Sequence, residues 1–174
     1  MDHQALIYRD TIDWLFDLQF VGIKLGLENI RSLAAYWDNP HLRYPVIHIA
    51  GSNGKGSTAS FIAAALQAAG YRTGLYTSPH LVDFSERIRI DGVPMDPSRI
   101  ITLAQALRGE IARLNATFFE ATTLMAFRHF ADENVDVAVV AELSLEKARP
   151  AERGMLTPQP RQPPREVEQT LPLL

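Results

Sequence analysis

The chain has no cysteine among its 174 residues. That excludes a disulfide scaffold, a thiolate zinc site and a cysteine nucleophile. It has no excess of positive charge either. Seventeen Lys and Arg stand against 20 Asp and Glu, a net charge of −3, so bulk attraction to nucleic acid or an anionic membrane has no source. No run approaches the roughly 18 apolar residues that a membrane-spanning helix needs. The start, Met1-Asp2-His3-Gln4, lacks the basic-then-apolar order of a secretory leader. A cytoplasmic setting is therefore expected. There are no internal repeats. Nothing forbids a folded core: 47% of the chain is apolar and 21% charged, ordinary globular proportions.

Composition breaks near residue 143. Six of the 11 prolines, Pro150, Pro158, Pro160, Pro163, Pro164 and Pro172, fall in the last 25 residues. Beyond Leu143 there is no aromatic residue, no Ile and no Asp, and Val167 is the lone β-branched apolar residue. Such a segment buries too little to offset its ordering entropy. Two parts are expected: one domain over 1–143 and a Pro-rich, disordered tail over 144–174, with a short helical piece near 146–153.

The first part alternates between strand and helix signals. Leu27, Ile30, Leu33, Ala34 and Trp37 recur at helical spacing before Pro40. The run 45–50 reads as a buried parallel strand. Phe61, Ile62, Ala65, Leu66 and Ala69 share one face of a helix predicted over 57–69, with Gly70 at its C-terminal stop. Strands are predicted at 73–77 and 135–140. An alternating piece at 87–90 precedes the Asp91-Gly92 turn. Asp96-Pro97 opens a helix striped by Ile100, Leu103, Leu107, Ile111 and Leu114, and another helix is predicted over 121–132. This order implies an α/β domain with a mostly parallel sheet flanked by helices.

Between the first strand and its helix lies Gly51-Ser52-Asn53-Gly54-Lys55-Gly56-Ser57-Thr58. A glycine-rich turn in that context can aim backbone N–H groups at phosphate oxygens, and the helix start adds donors and partial positive charge. Lys55 is placed to meet β- and γ-phosphates, and a hydroxyl just after it can hold Mg²⁺. The match to G-x-x-x-x-G-K-[ST] is imperfect, because Ile49 stands at the first glycine and Gly56 at the hydroxyl position. A plain glycine turn with an incidental lysine remains the alternative at this point.

With its flanks, this loop resembles that of the folylpolyglutamate synthase/dihydrofolate synthase family of the Mur-ligase superfamily. The resemblance rests on His48 to Ser57, on Gly70 to Leu81 followed by Glu86-Arg87-Ile88, on Phe118 to Thr123, and more weakly on Ile23 to Ile30. It spans roughly 12–140. It implies the truncated ATP-binding domain of that fold and an ATP-dependent acid–amino-acid ligase. The carboxylate of dihydropteroate or a folate would be phosphorylated by ATP, then attacked by the amine of L-glutamate. By the same resemblance Ser52, Asn53, Gly54, Lys55, Gly56 and Ser57 match the ATP site, with Lys55 catalytic. Ser78 and Ser57 match Mg²⁺ ligands. Ile23, Lys24, Leu25, Phe119, Glu120 and Thr122 match the pterin-substrate segments. Small-molecule substrates, no nucleic acid, no membrane and a monomeric state follow as expectations.

Other readings of single residues stay open. Ser78-Pro79 is an ordinary turn starter. Phe118 and Phe119 suit a core, His48 and His129 suit structural roles, and Glu86-Arg87 suits a local ion pair on a solvated face. The family's third strand runs into Glu-Val-Gly-Leu-Gly-Gly, whose Glu binds Mg²⁺. Here Ala141 takes the Glu position and Glu142 comes one residue late, which in a strand turns the side chain to the other face. The expectation is an inactive N-terminal portion of such a ligase, with a tail from an altered 3′ coding region and poor solubility in isolation. A nucleotide- or pterin-binding remnant without turnover, and another P-loop enzyme such as a small-molecule kinase, are the alternatives.

Overall fold

A computed structural model describes residues 3–21, 26–51 and 53–141. The expectations for Ile23, Lys24, Leu25, Ser52, Glu142 and the tail over 144–174 lie outside those residues. In chain order the elements are α1 (His3–Asp17), α2 (Glu28–Tyr36), β1 (Val46–His48), α3 (Lys55–Ala68), β2 (Thr73–Thr77), β3 (Ile88–Ile90), β4 (Val93–Pro94), α4 (Pro97–Leu114), α5 (Phe118–Asp132) and β5 (Val137–Ala141).

The five strands lie in the order β1-β5-β2-β3-β4. The last strand in sequence thus fills the middle of the parallel part. It pairs in parallel with β1, His48 opposite Val140, and with β2, Thr77 opposite Ala141. The Asp91-Gly92 turn then sends β4 back along β3, and β3 runs antiparallel to β2. The α/β class is as expected, and the hairpin makes the sheet mixed.

Side chains of β5 alternate between two packed faces. Ala138 and Val140 join Tyr76 and Ile88 against α1, α2, α4 and α5. Val139 and Ala141 join Leu75 against Ala59 and Ala63 of α3. Every residue of β5 is buried, which explains its uninterrupted Val/Ala composition. β1 differs from the buried strand expected of its sequence. Among the described residues it has a neighbour on one side only, and Val46 is 39% exposed. His48 is exposed rather than enclosed.

Local chemistry explains the helix boundaries. Asp96 caps α4 by accepting from Ser98 N–H at 2.8 Å, with Pro97 next in line. α5 begins at Phe118, three residues before the predicted start, because Thr117 and Glu120 form a capping box. α1, unread in the sequence, has only a weak apolar stripe and buries just Thr11 and Leu15.

Gly74 in β2 lies under the ring of Phe130. A Cβ there would come within 2.8 Å of Cδ1 and 2.9 Å of Cγ, and Phe130 itself is fully buried. Gly74→Ala therefore forces α5 away from the sheet. We expect a loss of about 1–3 kcal/mol, measured as a lower denaturation midpoint; an unchanged midpoint would show that the ring yields freely.

Candidate nucleotide and substrate site

The first component of the site is the turn from β1 into α3. Gly54 holds φ at +75°, in the left-handed region where glycine carries no steric cost. From there it caps α3 without a side-chain acceptor. Its carbonyl accepts the first helical bond, from Thr58 N–H at 2.9 Å. The N–H groups of Gly56 and Ser57 precede that bond, in the first turn where a helix offers no carbonyl of its own. They sit at the positive end of the helix dipole. Asn53, Gly54, Gly56 and Ser57 are exposed and Lys55 is half-buried. The Lys55 ammonium donates to the Gly51 carbonyl, so its side chain folds back over its own loop.

The second component is the loop between β2 and β3. Ser78 follows directly on Thr77, the residue opposite Ala141, and is half-buried. Glu86 binds the loop together: its carboxylate accepts from Leu81 N–H at 3.0 Å, Val82 N–H at 3.4 Å and Asp83 N–H at 3.2 Å. Asp83 in turn accepts from Ser85 N–H at 2.8 Å and from the Tyr8 hydroxyl of α1 at 2.7 Å. The solvated Glu86–Arg87 pair suggested by the sequence is replaced by two separate roles. Glu86 turns to the backbone, and Arg87 is buried over the rings of Phe118 and Phe84, at 5.1 and 5.7 Å. Arg87 Nε donates to His80 Nδ1 at 2.8 Å. Burial first, and the Arg87 charge second, hold His80 below the usual histidine pKa.

The third component is the start of α5. Phe118 is buried and stacks on Phe16 of α1 at 5.3 Å, whereas Phe119 is 40% exposed. The Glu120 carboxylate accepts from Thr117 N–H and Oγ1 at 2.7 and 2.9 Å. Thr122 has no exposed surface; its hydroxyl donates to the Phe118 carbonyl and meets the Tyr76 hydroxyl, both at 2.9 Å. Its hydroxyl is thus engaged beneath the surface of the first turns of α5. Phe119 and Glu120 remain at the surface.

These components share one edge of the sheet, the carboxyl ends of β1, β5 and β2, where open α/β sheets bind ligands. The end of β5 is the weak point. Ala141 is in strand and buried toward α3, so no carboxylate stands at that position. Among the described residues no cluster of three or more His, Asp or Glu is arranged for a metal ion. The hydroxyls of Ser57 and Ser78 suit Mg²⁺ only as minor ligands to an ion that keeps its waters and phosphate oxygens, which is its usual habit. A cavity of about 340 Å³ lies at the opposite edge, lined by Arg72, Asp91, Met95, His129 and Glu133, and none of the described candidate residues lines it.

No family model matches the chain. Individual relatives do. It is 34% identical over 144 residues to the dihydrofolate synthase/folylpolyglutamate synthase of Bacillus subtilis, covering 79% of this chain and 34% of that protein. It is 38% identical over 138 residues to a probable bifunctional folylpolyglutamate synthase/dihydropteroate synthase of Haloferax volcanii, covering 76% of this chain and 16% of that protein. Its fold superimposes on the folylpolyglutamate synthase of Thermotoga maritima with a TM-score of 0.73 at 38% identity, over 79% of this chain and 33% of the other. The Mycobacterium tuberculosis folylpolyglutamate synthase complexed with ADP gives 0.74 at 36% identity, over 79% and 32%. By sequence and fold this chain belongs with the folylpolyglutamate and dihydrofolate synthases. It spans about a third or less of the length of the curated relatives described above.

Within this family frame, the residues missed by the sequence reading are Tyr8 and Asp83. Asp83-x-x-Glu86 has capping-box spacing and was a findable signal; Tyr8 had none. Burial raises the Asp83 pKa, but hydrogen bonds from Ser85 and Tyr8 outweigh it and hold the carboxyl below the ordinary value of 3.8. Backbone N–H bonds, first that of Leu81, hold Glu86 below 4.5. A depressed carboxylate contributes stability that is full above its unfolded pKa and lost as pH falls through its folded pKa. Asp83→Asn is therefore expected to be less stable than wild type near neutrality and to decline less steeply between about pH 5 and pH 3. Urea midpoints across that range measure this; parallel curves would refute it.

Proposed function

We propose that this chain carries the phosphate-binding part of an ATP-dependent ligase that joins L-glutamate to dihydropteroate or a folate. The observation that carries the reading is the uncapped start of α3, with Lys55 over its loop, beside the Ser78 loop at one sheet edge. Relatives of the same fold include one complexed with ADP and another solved as an AMPPCP complex. Asn53, Gly54, Lys55, Gly56 and Ser57, with Ser52, would hold the triphosphate. Lys55 exchanges the Gly51 carbonyl for phosphate oxygens, a charge-assisted bond and the stronger of the two. Ser78 and Ser57 would face Mg²⁺, which neutralises phosphate charge when bound. Phe119 and Glu120, with Ile23, Lys24 and Leu25, would meet the pterin substrate.

In this reading a carboxylate oxygen of the substrate attacks the γ-phosphorus and ADP leaves. The amine nitrogen of glutamate then attacks the acyl carbon, losing a proton as phosphate departs. The protein's part is positioning and charge neutralisation. No helix among the described residues is long and apolar enough to cross a membrane; a monomer acting on small molecules in the cytoplasm is part of the proposal.

Ala141 favours a second reading. With Ala141 rather than a carboxylate as the last described residue of β5, nucleotide or pterin would be held without turnover. One assay separates the two: the chain is incubated with ATP, Mg²⁺, dihydropteroate and glutamate, and phosphate release and nucleotide binding are followed. Glutamate-dependent release supports ligation, binding alone supports the remnant, and phosphorylation of an acceptor without glutamate points to a kinase. Lys55→Ala is expected to weaken nucleotide binding by roughly 10- to 100-fold, the worth of one charge-assisted bond; unchanged affinity in titration calorimetry would remove Lys55 from the site.

A further inference from the structure

The loop between β2 and β3 is exposed, yet its hydrogen bonds do not come from its own backbone alone. Leu81 and Val82 at its crest are 92% and 88% exposed, while Phe84 and Arg87 further on are buried, so burial fixes the end of the loop but not its crest. Polar side chains do, and one of them comes from another element. Tyr8 on α1 is half-buried. Its hydroxyl donates to Asp83 Oδ1 at 2.7 Å, the same oxygen that takes Ser85 N–H. Eight residues further along α1, about 12 Å at helical rise, Phe16 lies against His80 and Phe84, with ring centroids 6.0 and 6.4 Å away. One helix thus touches the loop at two points, an aromatic one beside His80 and a polar one at Asp83. Ser78 lies two residues before His80.

We infer that Tyr8 is a positioning residue, which acts through Asp83 to hold the β2–β3 loop in the shape that presents Ser78 at the phosphate edge. This rests on the nucleotide reading above. Tyr8 touches neither nucleotide nor metal in this account. Its hydroxyl anchors the Asp83 carboxylate, Asp83 fixes Ser85, and the Glu86 carboxylate three residues on gathers the amides of Leu81, Val82 and Asp83. The bond joins a half-buried phenol to a carboxylate: burial first and Asp83 second push the Tyr8 pKa upward, so the hydroxyl stays protonated and donating.

Tyr8→Phe removes one oxygen and keeps the ring. The full chain is compared with Tyr8→Phe, with Asp83→Asn, which keeps an acceptor oxygen, and with Tyr36→Phe, a control at an exposed tyrosine on α2. Two measurements are made: amide hydrogen exchange at Leu81 and Ser85 without ligand, and AMPPCP affinity as Mg²⁺ is titrated. Tyr8→Phe is expected to speed exchange at Ser85 about tenfold and to raise the Mg²⁺ concentration for half-maximal tightening severalfold. AMPPCP affinity without Mg²⁺ should not change, and Asp83→Asn should fall between Tyr8→Phe and wild type. Unchanged exchange, or faster exchange with an unchanged Mg²⁺ midpoint, overturns the inference. Wild-type protein that binds AMPPCP no better with Mg²⁺ than without overturns the nucleotide–Mg²⁺ reading itself, and the inference falls with it.

Discussion

The parallel pairing of β5 with both β1 and β2 is the constraint on which everything else depends. A strand that enters last in sequence sits between two that came earlier. Its five residues are buried on both faces. Because β1 and β2 run the same way beside it, the turns that follow them emerge at one edge. The glycine turn before α3 and the Ser78 loop become neighbours only through this insertion. Disrupting β5 would separate them without altering either loop.

The two faces of the sheet are unequal. Among the described residues, four helices cover one face around Tyr76, Phe118 and Phe130, while α3 alone covers the other, resting on Ala59 and Ala63. The heavier face carries the aromatic chemistry. Phe16, Phe84, Phe118, His80 and Arg87 form one connected group. The lighter face holds the start of α3, which carries no side-chain cap and is exposed at Gly56 and Ser57. A phosphate site needs such openness, because side-chain caps would consume the donors.

The β2–β3 loop joins these halves. It leaves the sheet at the edge where α3 begins and returns through the aromatic group. Its shape comes from carboxylates that accept backbone N–H groups, Glu86 from three of them and Asp83 from Ser85. Charged acceptors at backbone donors are among the stronger hydrogen bonds, and they give order to a crest, Leu81 and Val82, that buries little. At Ala141 the architecture is kept but an acidic side chain is not: the strand ends in a methyl group packed toward α3.

The sequence by itself determined the local features whose causes are local. The Gly51–Ser57 turn, the Asp96-Pro97 cap and the Asp91-Gly92 turn were legible because backbone conformation there follows from the residues themselves. The uniform apolar run of β5 announced burial. Only the tertiary structure decided that β5 lies between β1 and β2, since strand order depends on non-local pairing that leaves no periodic trace. It also decided that β1 is a half-exposed edge, that Thr122 is spent on Tyr76, that Arg87 goes inside, and that Tyr8 reaches Asp83 across 75 positions of sequence. Those outcomes depend on which surfaces meet, and a one-dimensional pattern does not encode which side chain will find which partner.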